Sequence, residues 1–207
     1  MALSNYTELK TSIANYLNRN DLTSVIPDFI TLTEDRLNRD LRVSSNVVRA
    51  ETTTTSGQAF YNLPADIIEL KNITYEATSS SHALNYLSME SASREYGGVT
   101  SGYPRAYTLV GDNLKLLPTP DAAYGININY YKKLSALSDS NLTNDIITLY
   151  PALYLFGSCL EGAIYLNDTE QSQRFASIFA QTMAEVKETE EKSLYAGTVL
   201  TMSVQGT

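Results

Sequence analysis

Covalent catalysis needs a nucleophile within reach of a base, and the base must itself be oriented by a third group. Two residues of this 207-residue chain have the right types. His82 is the only histidine and follows the polar run Ser79-Ser80-Ser81, whereas Cys159 is the only cysteine and lies far away in an apolar segment. Nothing in their spacing brings them together, so Cys159 is expected to be a small core hydrophobe. A structural zinc site would need four Cys or His ligands where the chain has two such residues, and one cysteine cannot close an intrachain disulfide. No metal is expected. Gly97-Gly98 and Gly111-Asp112 lack the glycine-rich run and following Lys-Ser or Lys-Thr of a phosphate loop, so no nucleotide or other cofactor is expected either. Glu188, Glu190 and Glu191 could in principle perform acid–base chemistry. They sit in the charged run Lys187 to Lys192 without an apolar pocket to split their pKa values, and are expected to be solvated. Asn5, Asn72 and Asn141 each open a glycosylation pattern, discounted because Met1 to Asn5 shows no basic-then-apolar secretion signal. The chemistry-bearing residues therefore point away from an enzyme.

The elements around them are legible from periodicity. Asn5 followed by Glu8 is a variant capping box for a helix over about residues 5–18, with Tyr6, Leu9, Ile13, Tyr16 and Leu17 on its apolar face. Asp21 to Ser24 is expected to start a second helix, with Pro27 in its first turn and Ile26, Ile30, Thr33, Leu37 and Leu41 facing inward. Its other face carries Glu34, Asp35, Arg36, Arg39, Asp40 and Arg42, with Asp35 and Arg39 favourably ordered at i,i+4. That face is either solvated or pairs with a neighbouring subunit through Asp35, Arg36, Arg39 and Arg42.

From Asn46 the pattern changes to β-branched runs. Val47 to Thr55, a turn at Ser56-Gly57 and Gln58 to Leu63 suggest a hairpin, with a third strand from Ile67 to Tyr75 and a polar connection at Ser79 to Ser81. Met89 to Tyr96 is a short helix. Gly111-Asp112 joins strands 105–110 and 113–117, and Tyr124 to Tyr131 alternates cleanly as a strand with one buried face. Helical spacing returns near Asn144-Asp145. The segment 151–166 is apolar nearly all round, a central helix in which Gly157 and Gly162 admit another backbone closely. A last helix begins at Asp168 and carries Phe175, Ile178, Phe179, Met183 and Val186 inward, with Gly197 as its stop. Residues 198–207 are uncharged and carry Val199, Leu200, Met202 and Val204; so short an apolar end would fray unless it rests on a partner. The expected class is α+β. Helices of residues 1–45 and 136–197 form one bundle, a β-rich lobe over 46–135 is inserted between them, and 198–207 is a docking tail.

Composition bounds the partners. Fifteen basic against 23 acidic residues, a formal charge of −8, argue against affinity built on phosphate neutralisation. No apolar run approaches the roughly 20 residues that span a bilayer, so no membrane is expected. Fifteen tyrosines with no tryptophan suit surfaces that are partly apolar and partly hydrogen-bonded.

Several short runs, in order, carry a resemblance: Asp35 to Arg39 ending the second helix, Tyr61 to Asp66 leading into Ile67 to Leu70, Gly102-Tyr103-Pro104 before Tyr107, Leu114 to Pro120, the pair Tyr130-Tyr131, and Tyr150 to Leu155 opening the central helix. In this layout the chain resembles the head-to-tail adaptor proteins of tailed double-stranded DNA bacteriophages, related to tail tubular protein A. The resemblance implies a structural subunit of the virion neck, assembled in the host cytoplasm as a dodecameric ring beneath the portal. It also implies a tail component below the ring, DNA passing through the channel without specific binding, and a C-terminal end docked on the portal. Twelve such chains would bring a charge of about −96, a field that keeps DNA from adhering. The alternatives are a tail-completion or stopper ring, a phage carbohydrate-active enzyme using acidic residues, and an acidic module that mimics DNA.

Overall fold

In a computed structural model of the chain, the structure describes residues 3–77, 80–99 and 101–195. The described residues up to Asn46 and from Leu134 onward form one compact unit, and Val47–Lys133 form another.

The first unit is helical: α1 (Tyr6–Tyr16), α2 (Ile26–Asp40), α4 (Asp145–Leu149), α5 (Pro151–Tyr165) and α6 (Thr169–Tyr195), with α3 belonging to the second unit. Asn5 caps α1 by accepting from the Glu8 amide at 3.0 Å, while the Glu8 carboxylate turns back one residue further, to the amide and hydroxyl of Ser4. The expected cap at Asp21 to Ser24 is not formed. Helix α2 starts after Val25 with no side-chain cap, since Pro27 in its first turn already removes one orphan donor. Asp21 instead binds Arg19 bidentately at 2.7 Å, and that pairing pulls its carboxyl down to about 2. Asn18 and Asn167 adopt positive φ just past α1 and α5, the left-handed stop that asparagine tolerates.

One core joins all five helices, with Leu9, Ile13, Ile30, Leu37, Ile146, Leu153, Tyr154 and Ala163 fully enclosed. Helix α5 runs through its middle, as its all-round apolarity predicts. A methyl added at Gly157 would lie 2.5 Å from Cγ2 of Thr33 on α2, and one at Gly162 would fall inside Leu17. These two glycines therefore set how closely α1 and α2 approach α5. Cys159 is fully buried there, and desolvation pushes its thiol up to about 12, which leaves no thiolate for chemistry.

Among the described residues, the second unit holds two four-stranded sheets and one helix. Its strands are β1 (Val47–Thr53), β2 (Phe60–Asn62), β3 (Ile67–Ala77), β4 (Ser80–Ala83), β5 (Asn85–Tyr86), β6 (Ala106–Val110), β7 (Asn113–Leu117) and β8 (Gly125–Lys132). The sheet orders are β1-β8-β3-β4 and β2-β7-β6-β5, antiparallel throughout except for the parallel β5–β6 pair. Ile73, Ile126, Ile128 and Tyr130 of the first sheet share a core with Tyr107, Leu114 and Leu116 of the second. Helix α3 (Met89–Tyr96) packs Ala92 against Ala106 and Leu117.

The hairpin expected between Val47 and Leu63 does not exist. β1 pairs with β8 and β2 with β7, in different sheets. The reason lies in Thr54, which is buried: its amide donates to the Tyr124 carbonyl at 2.9 Å and its hydroxyl bonds Ala122 and Tyr124 at 2.8 Å. The chain is thereby held at the end of β8 and crosses to the other sheet. The polar connection expected at Ser79 to Ser81 is partly strand, because β4 continues the sheet beside β3 and stacks His82 on Tyr75 at 5.2 Å between ring centres. The β6–β7 hairpin turns at Gly111, whose φ of +60° supplies the turn's handedness.

Candidate assembly surface

Helix α2 separates its charges by depth. Asp28, Leu32, Asp35 and Arg39 recur at four- and three-residue steps and are exposed, Leu32 at 48%. The adjoining row is turned inward. Glu34 is only 5% exposed, accepting from the Leu137 amide at 2.7 Å and the Tyr154 hydroxyl at 3.1 Å. It therefore does not belong to the outer charged face expected from its chemistry. Position 34 is four residues after Ile30 and three before Leu37, which places it on the buried stripe. Tyr154 also receives the Asn144 side-chain amide at 2.7 Å, and desolvation first, then the Glu34 charge, raises its pKa far above the usual phenol value.

The four charged residues expected to pair with a neighbour are differently placed. Arg36 reaches the buried Glu161 of α5, Nε to Oε1 2.5 Å, and is thus engaged within its own chain. Arg39 contacts Asp40 at 3.3 Å rather than Asp35, with both side chains largely exposed. Arg42 donates to the carbonyls of Asn38 and Leu41 at 2.9 Å. Asp35 stands on the outer stripe. Of the set, Asp35 and Arg39 are the two that face outward. Val199, Leu200, Met202 and Val204 lie outside the described residues.

The carboxylates of α6 also divide. Glu188 pairs with Lys192 at 2.6 Å and Glu191 is exposed, as expected for a solvated run. Glu190 departs from that expectation: it is 8% exposed and accepts from the Ser44 amide at 2.8 Å and the Tyr150 hydroxyl at 2.7 Å. Its place four residues after Val186 on the inward stripe gives the sequence signal. Burial works to raise its pKa, but the Ser44 and Tyr150 bonds outweigh burial and hold it below the ordinary glutamate value.

Large apolar side chains also reach the surface of the helical unit. Tyr16 and Tyr165 are each more than half exposed, resting edge-on against Phe156 and tilted against Phe29. With Leu32 and Ile164 they supply the mixture of apolar area and hydrogen-bonding tips found at protein interfaces. Among the described residues no cluster of three His, Cys, Asp or Glu could hold a metal ion, and no helix is long and apolar enough to cross a membrane.

The model of the SU10 adaptor protein family matches residues 4–201, nearly the whole chain. The chain belongs to this family. Membership in the SU10 adaptor family makes it a structural adaptor of bacteriophage origin, and the match runs through both the helical and the β-rich units. No curated protein matches the chain.

Proposed function

We propose that this SU10 adaptor family member is a subunit of the virion neck, forming a ring with copies of itself that joins the portal to the tail and continues the DNA channel. What carries the reading is the family match over residues 4–201. The ring is dodecameric and the likeness to tail tubular protein A extends to its architecture: terminal helices bundled, the β lobe inserted, and residues 198–207 reaching the portal through Val199, Leu200, Met202 and Val204. A tail component, such as a nozzle, binds the other side. The excess of acidic residues keeps double-stranded DNA moving without specific contact. Assembly takes place in the host cytoplasm. The outward stripe of α2 supports a subunit contact, with Leu32 as its apolar centre and Asp35 and Arg39 as its charge pairs.

Electron microscopy and native mass spectrometry of the full chain mixed with purified portal test this. A twelve-membered ring on the portal is expected, and a chain that ignores the portal would overturn the reading in favour of a stopper. Removing residues 198–207 should abolish co-sedimentation with portal while the circular dichroism spectrum stays unchanged.

A further inference from the structure

Among the described residues, the two sheets of the β-rich unit end on four edge strands of unequal length. β5, β2 and β4 have two, three and four residues, whereas β1, at the edge of the first sheet, has seven. Short edges are poor templates for a further strand and long ones are good templates. All seven residues of β1 pair with β8 in an unbroken register, without the bulges that interrupt the β3–β8 pair, and β1 has no proline or lysine to blunt it. The register also fixes which backbone groups are left over. The Thr54 amide donates to the Tyr124 carbonyl at 2.9 Å, and stepping back by twos makes Thr52–Ile126, Ala50–Ile128 and Val48–Tyr130 the hydrogen-bonded pairs. Val47, Arg49, Glu51 and Thr53 therefore turn their N–H and C=O groups away from β8. No described residue hydrogen-bonds to those groups, and Arg49, Glu51, Thr52 and Thr53 are exposed.

Antiparallel to itself, β1 is complementary. The order Val-Val-Arg-Ala-Glu-Thr-Thr sets Ala50 opposite Ala50, Arg49 opposite Glu51, Val48 opposite Thr52 and Val47 opposite Thr53. We propose that β1 is a homodimerisation edge, on which a second copy of this chain lays its own β1 antiparallel about a two-fold axis through Ala50, so that two four-stranded sheets become one. The backbone favours the same register as the side chains. Val47 and Arg49 of one copy meet Thr53 and Glu51 of the other, and these four are the residues whose N–H and C=O groups point outward, as a hydrogen-bonded antiparallel pair requires. A slip by one residue would set outward groups against inward ones and separate the charges. Arg49 already reaches Glu51 of its own strand at 3.0 Å, and in the pair two Arg49 and two Glu51 alternate in sign on the outer face. Charges that deter an unrelated strand thereby select a copy of this one. The contact is isologous and closes at two copies, so it cannot propagate round a ring. It describes the free chain and does not depend on ring formation or portal binding.

Native mass spectrometry and sedimentation of the full chain over a concentration series test this, with a monomer–dimer equilibrium expected. Arg49→Glu sets like charges opposite each other at both symmetry-related positions and should weaken the dimer about tenfold or more, as should Glu51→Arg. The swap Arg49→Glu/Glu51→Arg recreates the complementary order and should return dimerisation to within about threefold of the parent. Oxidation reads the register separately. Ala50→Cys lies opposite itself in a non-hydrogen-bonded pair, about 4.5 Å apart at Cα and within reach of a disulfide, and should give a covalent dimer. Thr52→Cys puts the two thiols four residues out of register, roughly 13 Å along the strand, and should not. Cys159 is buried and takes no part. A chain that stays monomeric throughout would overturn the proposal. So would charge reversals that leave the dimer unchanged, a swap that fails to restore it, equal cross-linking at both positions, or growth past two copies, which would put a different strand on the edge.

Discussion

The two units of this chain handle charge in opposite ways. In the helical unit Glu34, Glu161 and Glu190 are all at most 8% exposed, and each has a specific partner: an amide and a phenol, an arginine, an amide and a phenol. In the β-rich unit the ion pairs of Arg49 with Glu51 and Glu76 stay about half exposed or more, and an apolar interior between the sheets supplies the cohesion. A buried carboxylate costs several kcal/mol in desolvation and returns it only if its partners stay in place. The helical unit thus adds a few enclosed carboxylate bonds to its apolar core. The β-rich unit keeps these ion pairs at its surface and encloses the neutral Thr54 instead.

Point substitutions can break this contrast. Glu34→Ala should have the largest effect, destabilising the chain by about 3–5 kcal/mol in urea unfolding, because the Leu137 amide and Tyr154 hydroxyl would be left buried without their acceptor. A loss below about 1 kcal/mol would mean that water replaces the carboxylate and that the site is less enclosed than its burial indicates. Gly157→Ala comes next, at about 1–3 kcal/mol, since the new methyl must displace Thr33 or separate α2 from α5. Acidification should loosen the helical unit through Glu190. Its folded pKa lies below its unfolded value of about 4.3, so its stabilising contribution is fully present above that pH and is lost as pH falls through the folded pKa. Glu190→Gln should flatten this part of the pH–stability curve; a curve of unchanged slope would place the acid sensitivity elsewhere. Arg49→Ala on the β-rich unit is the smallest, below about 1 kcal/mol by thermal unfolding, because its partners are screened by solvent.

Helices and local turns were legible in the sequence because their signals are local. The apolar stripes of α1, α2 and α6, the all-round apolarity of α5, the helix at Met89–Tyr96 and the turn at Gly111 each depend on residues within a few positions of one another. Strand partnership was not legible. Val47–Thr53 and Phe60–Asn62 are neighbours in sequence, yet Thr54 commits the chain to a bond with Tyr124, some seventy residues away, and no short window carries that information. Glu34 and Glu190 failed for another reason. Their chemistry argued for solvent while their helical spacing argued for the core, and spacing prevailed because each had donors waiting on another element. On the candidate surface, Asp35 and Arg39 were readable as outward charges, but the inward turn of Arg36 could not be foreseen without Glu161 on α5.

Placing the β-rich unit between the two halves of the helical one also has a consequence in time. During synthesis Val47–Lys133 emerges as a contiguous piece that contains all of its own strand partners. The apolar faces of α1 and α2 emerge earlier and can meet only each other until α5 leaves the ribosome. At about 5–20 residues per second, that interval is on the order of 5–20 s. Helices α1 and α2, made before the β-rich unit, are therefore among the last elements to be fully buried, and nascent-chain chaperones have their longest opportunity there.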